Sequence, residues 1–140
     1  MRMRTAIAAG VATGAAALVL GASAVQIGTA YLLCPEASTS AVHRAALKSD
    51  KTRHTALTNL FTGRPGRGIV NRLMRELGPM NSAAPAFPLA ANAMAPLRAH
   101  AERLGSGEFS PLWAGENTRS LRERPAGAVT RELLRAFADT

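Results

Sequence analysis

The sequence has little sulfur chemistry, few aromatic rings and almost no lysine. One cysteine, Cys34, excludes an intrachain disulfide and any cysteine-based zinc site, and leaves the redox compartment open. Four phenylalanines, one tyrosine and one tryptophan give scant surface for stacking on bases. No RNP or zinc-finger pattern accompanies the basic charge, so nucleic-acid binding is not expected. No run is long and apolar enough to read as a membrane span, so no membrane partner is expected either. Lys48 and Lys51 are the only lysines among 17 basic residues set against nine acidic ones, so arginine carries the net charge of +8. Arginine suits phosphate and carboxylate recognition, although a basic excess alone fits any anionic surface. A hydrophobic content of 47% over 140 residues excludes wholesale disorder and suffices for one core.

What is present begins with an apolar run, Val25-Gln26-Ile27-Gly28-Thr29-Ala30-Tyr31-Leu32-Leu33, followed at once by Cys34-Pro35-Glu36. It reads as a buried strand, Ala24 to Ile27, breaking into a Gly-Thr turn where bare backbone N–H groups can approach a phosphate. Around it the pattern is helical. Gly14 to Leu20 predicts a short helix stopped by Gly21, and Thr39 or Ser40 is placed to cap a helix through Val42, Ala46 and Leu47. Thr55 to Phe61 alternates enough for an extended segment. Gly63-Arg64-Pro65-Gly66-Arg67-Gly68 reads as a loop. Ile69 to Leu77 predicts a helix with Val70, Leu73, Met74 and Leu77 inward and Asn71, Arg72, Arg75 and Glu76 outward. Residues 81–88 should cross a surface. Leu89 to Leu104 reads as helical, with Pro96 in the first turn of a second helix. Ala128 to Ala138 predicts a last helix with Val129, Leu133 and Phe137 inward. A lone strand in this background would leave its N–H and C=O groups unpaired, an odd composition for an independent domain.

The first 24 residues admit two readings. Met1-Arg2-Met3-Arg4, the apolar stretch Ala6 to Leu20 and the triplet Ala22-Ser23-Ala24 match a secretory signal. Such a signal would make the protein secreted. However, the stretch is rich in alanine and glycine rather than leucine, and cleavage after Ala24 would leave the following strand without a neighbour. Both observations weigh against a cleaved signal and for a cytoplasmic location.

Several segments in order resemble one family. Ala15 to Ala22 followed by Val25-Gln26-Ile27-Gly28-Thr29 is similar to the last helix and strand of the barrel in the FMN-dependent nitronate monooxygenases, formerly called 2-nitropropane dioxygenases. Leu32-Leu33-Cys34-Pro35-Glu36 and His43-Arg44-Ala45-Ala46-Leu47 resemble its post-barrel segment. Thr58-Asn59-Leu60-Phe61-Thr62-Gly63-Arg64-Pro65 and Arg67-Gly68-Ile69-Val70-Asn71-Arg72 match its Phe-Thr-Gly-Arg-Pro and Arg-Gly-Ile-x-Asn-Arg pattern. Pro111-Leu112-Trp113-Ala114-Gly115 with Glu116 is similar to its Leu-Trp-Ala-Gly-Gln motif.

The resemblance implies an α/β fold, namely the C-terminal fragment of a TIM (β/α)8 barrel plus a helical extension, mostly α in this chain. A whole barrel needs about 250 residues. Residues 1–47 would hold the last barrel helix, strand and phosphate-binding turn with the following helix, and 48–140 the helical extension. The implied chemistry is oxidation of an alkyl nitronate by O2 to a carbonyl compound and nitrite, with FMN as cofactor. Gln26, Ile27, Gly28 and Thr29 are the implied FMN-binding residues, at the phosphate.

Some of the family pattern is missing. Its catalytic histidine follows glycines in a Gly-Gly-His context that does not occur here, so no catalytic residue is assigned, and no metal site. The Gly-Gly turn expected after the preceding strand, near Ala6 to Ala9, is absent, as are the first strands of the barrel. The isolated chain is therefore expected to bind flavin weakly or not at all and not to turn over, unless it associates with a separate barrel portion. The alternatives are another FMN-dependent reductase of the same barrel superfamily, or a small exported basic helical protein without catalysis. His43, His54 and His100 read as surface residues, and Arg64, Arg67, Arg72 and Arg75 as solvated faces. Cys34 reads as a packing residue and Trp113 as an anchor.

Overall fold

The computed structural model describes residues 5–8, 16–119 and 121–138. The elements run β1 (Thr5–Ala8), β2 (Ala24–Ile27), a 3-10 turn (Thr29–Tyr31), α1 (Ala41–Leu47), a 3-10 turn (Asp50–Arg53), β3 (Thr55–Thr58), β4 (Gly66–Ile69), α2 (Arg72–Leu77), α3 (Leu89–Arg103) and α4 (Ala126–Ala138). They form two compact units, one of Met1–Thr39 with Gly115–Thr140, the other of Ser40–Ala114.

In the first unit, β1 pairs in parallel with β2, in the register Thr5↔Ala24 to Ala8↔Ile27. Parallel neighbours require a crossover, commonly helical, and residues 16–19 are helical. Gly21, at φ +88, stops this turn in the left-handed region that glycine tolerates. Gly14 and Ala15 of the predicted helix, and the basic start at 1–4, lie outside the described residues. The expectation of a single strand is corrected here. Thr5-Ala6-Ile7-Ala8 merges in composition with the Ala/Gly-rich run after it, so nothing local marked its end. After β2 the chain buries Leu33 and Cys34. Cys34, Val129 and Leu133 form the unit's buried cluster, with Ile27, Ala30, Tyr31 and Phe137 packed against it. The inward face predicted for α4 and the packing role of Cys34 are both observed. α4 starts at Ala126 because Pro125 pre-sets the first turn, its carbonyl accepting from Ala128 N at 2.9 Å.

In the second unit Ser40 caps α1, its side chain accepting from His43 N. β3 and β4 pair antiparallel, Thr55↔Ile69 to Thr58↔Gly66. Gly66-Arg67-Gly68 was expected as loop and is strand. Residues 112–114 lie along the far edge of β4, with Ile69 N donating to Leu112 O (2.8 Å) and Ala114 N to Arg67 O (3.1 Å). A Cβ on Gly66 would sit 2.9 Å from Trp113 Cζ3. Gly66 therefore admits the indole, and Gly68 the close approach of the Leu112 carbonyl, rather than making a turn. Trp113 meets Phe61 edge to face at 5.9 Å, beside a cluster of Leu60, Phe61, Leu73 and Met74.

Two helices differ from expectation. Ile69 belongs to β4, so α2 starts only at Arg72. Asn71 caps it, accepting from Met74 N. Far from facing outward, Asn71 is 2% exposed, and its Nδ2 donates to Gly107 O (3.2 Å) and Ser110 O (3.0 Å). Leu77, predicted inward, is 52% exposed. α3 runs unbroken through Pro96. Pro96 and Asn92 are both exposed, so the carbonyl that proline leaves without its i→i−4 donor is open to water.

Candidate functional site

Gln26 to Thr29 close β2 at its C-terminal end, the end at which parallel β/α folds bind ligands. Gly28 is exposed, with φ −119 and ψ −53, a conformation open to any L-residue. A Cβ built there would meet nothing within 4 Å. Neither the backbone nor the packing of the described residues requires glycine at this position, and its missing side chain leaves the turn bare on the outside. The first hydrogen bond of the turn runs from Tyr31 N to Gly28 O at 3.0 Å. The N–H groups of Thr29 and Ala30 precede that bond, as at any helix start.

The four implied residues occupy different environments. The Gln26 side chain is exposed, whereas Ile27 packs on the Cys34 cluster. Thr29 is buried, and its Oγ1 accepts from Gly115 N at 2.9 Å. Two more long-range bonds follow. Tyr31 Oη and Thr130 Oγ1 lie 2.9 Å apart, and both Glu36 carboxylate oxygens accept from Ala126 N at 3.0 and 3.1 Å. The roles of Gly115, Thr130 and Ala126 were not read from the sequence. They are 86, 99 and 90 residues from their partners, and only the Trp-Ala-Gly motif hinted at the first.

The histidines and arginines all lie elsewhere or engage separately. His43 is half-buried rather than on the surface, its Nε2 3.0 Å from Trp113 O. A carbonyl only accepts, so Nε2 carries the proton. Burial pushes the His43 pKa below its ordinary value, the Trp113 bond opposes this and Arg98 adds to it. His54 and His100 are exposed, as expected. Arg64 lies over the Phe87 ring at 4.2 Å, Arg67 donates to Thr55, Arg72 pairs with Glu76 and Arg75 with Glu108. The four do not converge on one anion site. Glu108 also receives Lys51 at 2.7 Å. Burial pushes its carboxyl up, but Lys51, the Arg72 N–H and Arg75 together hold it below the usual carboxylate range. Among the described residues, no group of three His, Cys, Asp or Glu is placed to hold a metal, and no helix is long and apolar enough to cross a membrane.

Comparison with known proteins places this geometry. Residues 7–136 match the family "Nitronate monooxygenase". The chain is 42% identical over 120 residues to the nitronate monooxygenase of Pseudomonas aeruginosa, covering 85% of this chain and 34% of that protein. It is 31% identical over 120 residues to the probable nitronate monooxygenase of Staphylococcus saprophyticus, covering 86% and 34%. The chain thus spans about a third of the length of these curated relatives, and matches their C-terminal portion. Among solved structures it resembles nitroalkane oxidase from Streptomyces ansochromogenes with a TM-score of 0.83 at 38% identity, over 96% of this chain and 39% of that one. FabK from Thermotoga maritima gives 0.68 at 22% identity, over 99% and 45%, which speaks to the fold alone. Both neighbours are TIM barrels. The chain belongs to the nitronate monooxygenase family of oxidoreductases, and carries the C-terminal part of its (β/α)8 barrel together with a helical extension.

Proposed function

We propose that this chain supplies the cofactor-phosphate turn of an FMN-dependent nitronate monooxygenase, which converts an alkyl nitronate and O2 to a carbonyl compound and nitrite. The observation that carries the reading is Gly28, exposed, in an ordinary conformation and with open space where a side chain would stand. A glycine without an internal reason suits a group arriving from outside. The donor set fits a phosphate, with the Thr29 and Ala30 N–H groups, the Thr29 hydroxyl and the Gln26 amide at one strand end. Ile27 contributes its backbone there, since its partly buried side chain packs against the Cys34 cluster. FMN, held by Gln26 to Thr29 at its phosphate, would supply the redox chemistry between nitronate and oxygen.

This chain's residues bind and orient; they are not assigned the base that a neutral nitroalkane needs. All three histidines fall in the Ser40–Ala114 unit, and His43 is committed to the Trp113 carbonyl. Base and isoalloxazine contacts belong to the rest of the barrel, whether on the same polypeptide or on an associated one. β1 and β2 form a two-stranded sheet, whose outer edges suit further barrel strands. The stretch that resembles a signal contains β1, and cleavage after Ala24 would remove β2's neighbour, which favours a cytoplasmic protein. FabK-like reductase chemistry is not favoured, since the Phe-Thr-Gly-Arg-Pro and Leu-Trp-Ala-Gly segments match the monooxygenase pattern. The test is calorimetric titration of the chain with FMN and with riboflavin, which lacks the phosphate, alongside nitrite release from an alkyl nitronate. The expected outcome is a preference for FMN of about tenfold with no nitrite above a free-FMN control. Equal affinity for the two flavins overturns the phosphate assignment, and nitrite release overturns the division of labour.

A further inference from the structure

We infer that Gly115 is a positioning residue for the phosphate turn: its N–H fixes the Thr29 hydroxyl as a one-way donor toward an anion at Gly28. The inference rests on the proposed reading of that turn. A threonine hydroxyl carries one proton and two lone pairs and ordinarily rotates to suit its surroundings. Gly115 N, 2.9 Å from Thr29 Oγ1, can only donate. The oxygen is therefore held as an acceptor on that side, and its proton must point elsewhere. Thr29 is 8% exposed, so water competes little for the bond. A phosphate presents only acceptors, and a hydroxyl whose oxygen is already engaged on one side has fewer orientations to lose when it donates.

The backbone around Thr29 is held from the same direction of the chain. Tyr31 meets Thr130, and Glu36 meets Ala126. Residues 29, 31 and 36 are thus each tied to the C-terminal segment of the same unit, and Gly115 makes the tie nearest the open glycine. This gives Gly115 a role of its own beside the packing of Trp113 and Ala114. Gly115 touches no ligand in this scheme; it acts through Thr29.

The test compares FMN with riboflavin on the full chain, so that the phosphate is read separately from the ring, with amide exchange at Gly115 followed by NMR. Gly115→Pro removes the N–H but leaves the Thr29 hydroxyl in place. The expected result is a fall of about tenfold in the FMN-over-riboflavin preference, with Thr29→Ser keeping the wild-type preference and Thr29→Val losing it. A wild-type preference retained in Gly115→Pro overturns the positioning role while the cofactor reading stands. No preference in the wild type overturns the cofactor reading and the inference with it. Because proline at 115 also restricts the backbone locally, the Gly115 amide gives a second reading in Thr29→Val. Its exchange is expected to speed up about tenfold once the acceptor is gone, and an unchanged rate overturns the tether.

Discussion

The Glu36 carboxylate and the Ala126 N–H meet across 90 residues of sequence, both carboxylate oxygens lying within 3.1 Å of that single donor. Ala126 is the first residue of α4, so an acidic side chain from the far end of the unit serves as the helix's N-terminal cap and meets the positive end of its dipole. The cap also fixes the segment after the Gly28 turn to the helix whose Val129 and Leu133 bury Cys34. Glu36→Ala is expected to cost about 1 kcal/mol, seen as a lower urea midpoint with an unchanged slope.

Asn71 does the equivalent work in the second unit with three bonds. It caps α2 through Met74 N and donates to the carbonyls of Gly107 and Ser110. Asn71→Ala removes the cap and leaves a buried carbonyl, that of Ser110, without this donor. The expected loss is about 3 kcal/mol. Thermal melts of the chain check it, and Asn71→Asp, which keeps the cap oxygen but turns a carboxylate oxygen toward those two carbonyls, should be no more stable than Asn71→Ala.

His43 sets an acid limit. Its pKa is depressed in the folded chain, burial being the largest cause. The unfolded chain therefore binds the proton more readily. Stability from this group is fully present above the ordinary histidine value of about 6.5 and is lost as pH falls through the lower folded pKa. Urea midpoints followed downward from pH 8 should decline below about 6.5 in the wild type, and His43→Gln should flatten that part of the curve. An NMR titration of the His43 ring gives the folded value directly, and one at or above the ordinary value would contradict the burial argument. Glu102, lowered mainly by the Ser110 hydroxyl, and Glu108 add a second decline at lower pH by the same sign.

Helix faces with clean periodicity were legible in the sequence; what other segments do to a stretch was not. Val129 and Leu133 of α4 and Leu73 and Met74 of α2 face inward as their spacing predicts, because burial of one stripe is written locally. Gly66 and Gly68 look like loop residues until Trp113 is laid on them from 45 positions away or more. Asn71 looks solvent-facing until the Gly107 and Ser110 carbonyls claim its amide. β1 was missed because a parallel strand gains its identity from a partner beyond a crossover. At the turn, Gln26 to Thr29 were legible as a group, but the environment of each was not. Ile27 packs partly buried against the core, Gly28 is open, and the Thr29 hydroxyl is already held by Gly115.

The Trp113 contact is open to a spectroscopic check. It is the sole tryptophan, and its ring lies where a Cβ on Gly66 would stand, 2.9 Å from Cζ3. Gly66→Ala must push the indole aside and disturb its edge-to-face contact with Phe61. Overpacking of this kind costs about 1–3 kcal/mol, and the intrinsic fluorescence should shift with it. A native emission spectrum with unchanged stability would show that the ring has room to move.

Gly28 gives the opposite expectation, and the contrast separates function from folding. A Cβ there meets nothing within 4 Å, and φ −119 suits alanine as well as glycine. Gly28→Ala is therefore expected to leave stability within about 0.5 kcal/mol of the wild type, or to raise it slightly by restricting the unfolded chain. On the proposed reading the same methyl group would occupy the open space through which a phosphate reaches the Thr29 and Ala30 N–H groups, so FMN affinity should fall at least about tenfold while riboflavin affinity stays the same. Parallel denaturation curves and flavin titrations measure the two quantities on one preparation. A stable variant that has lost its phosphate preference marks Gly28 as a binding residue; loss of stability would show instead that the glycine serves the turn itself.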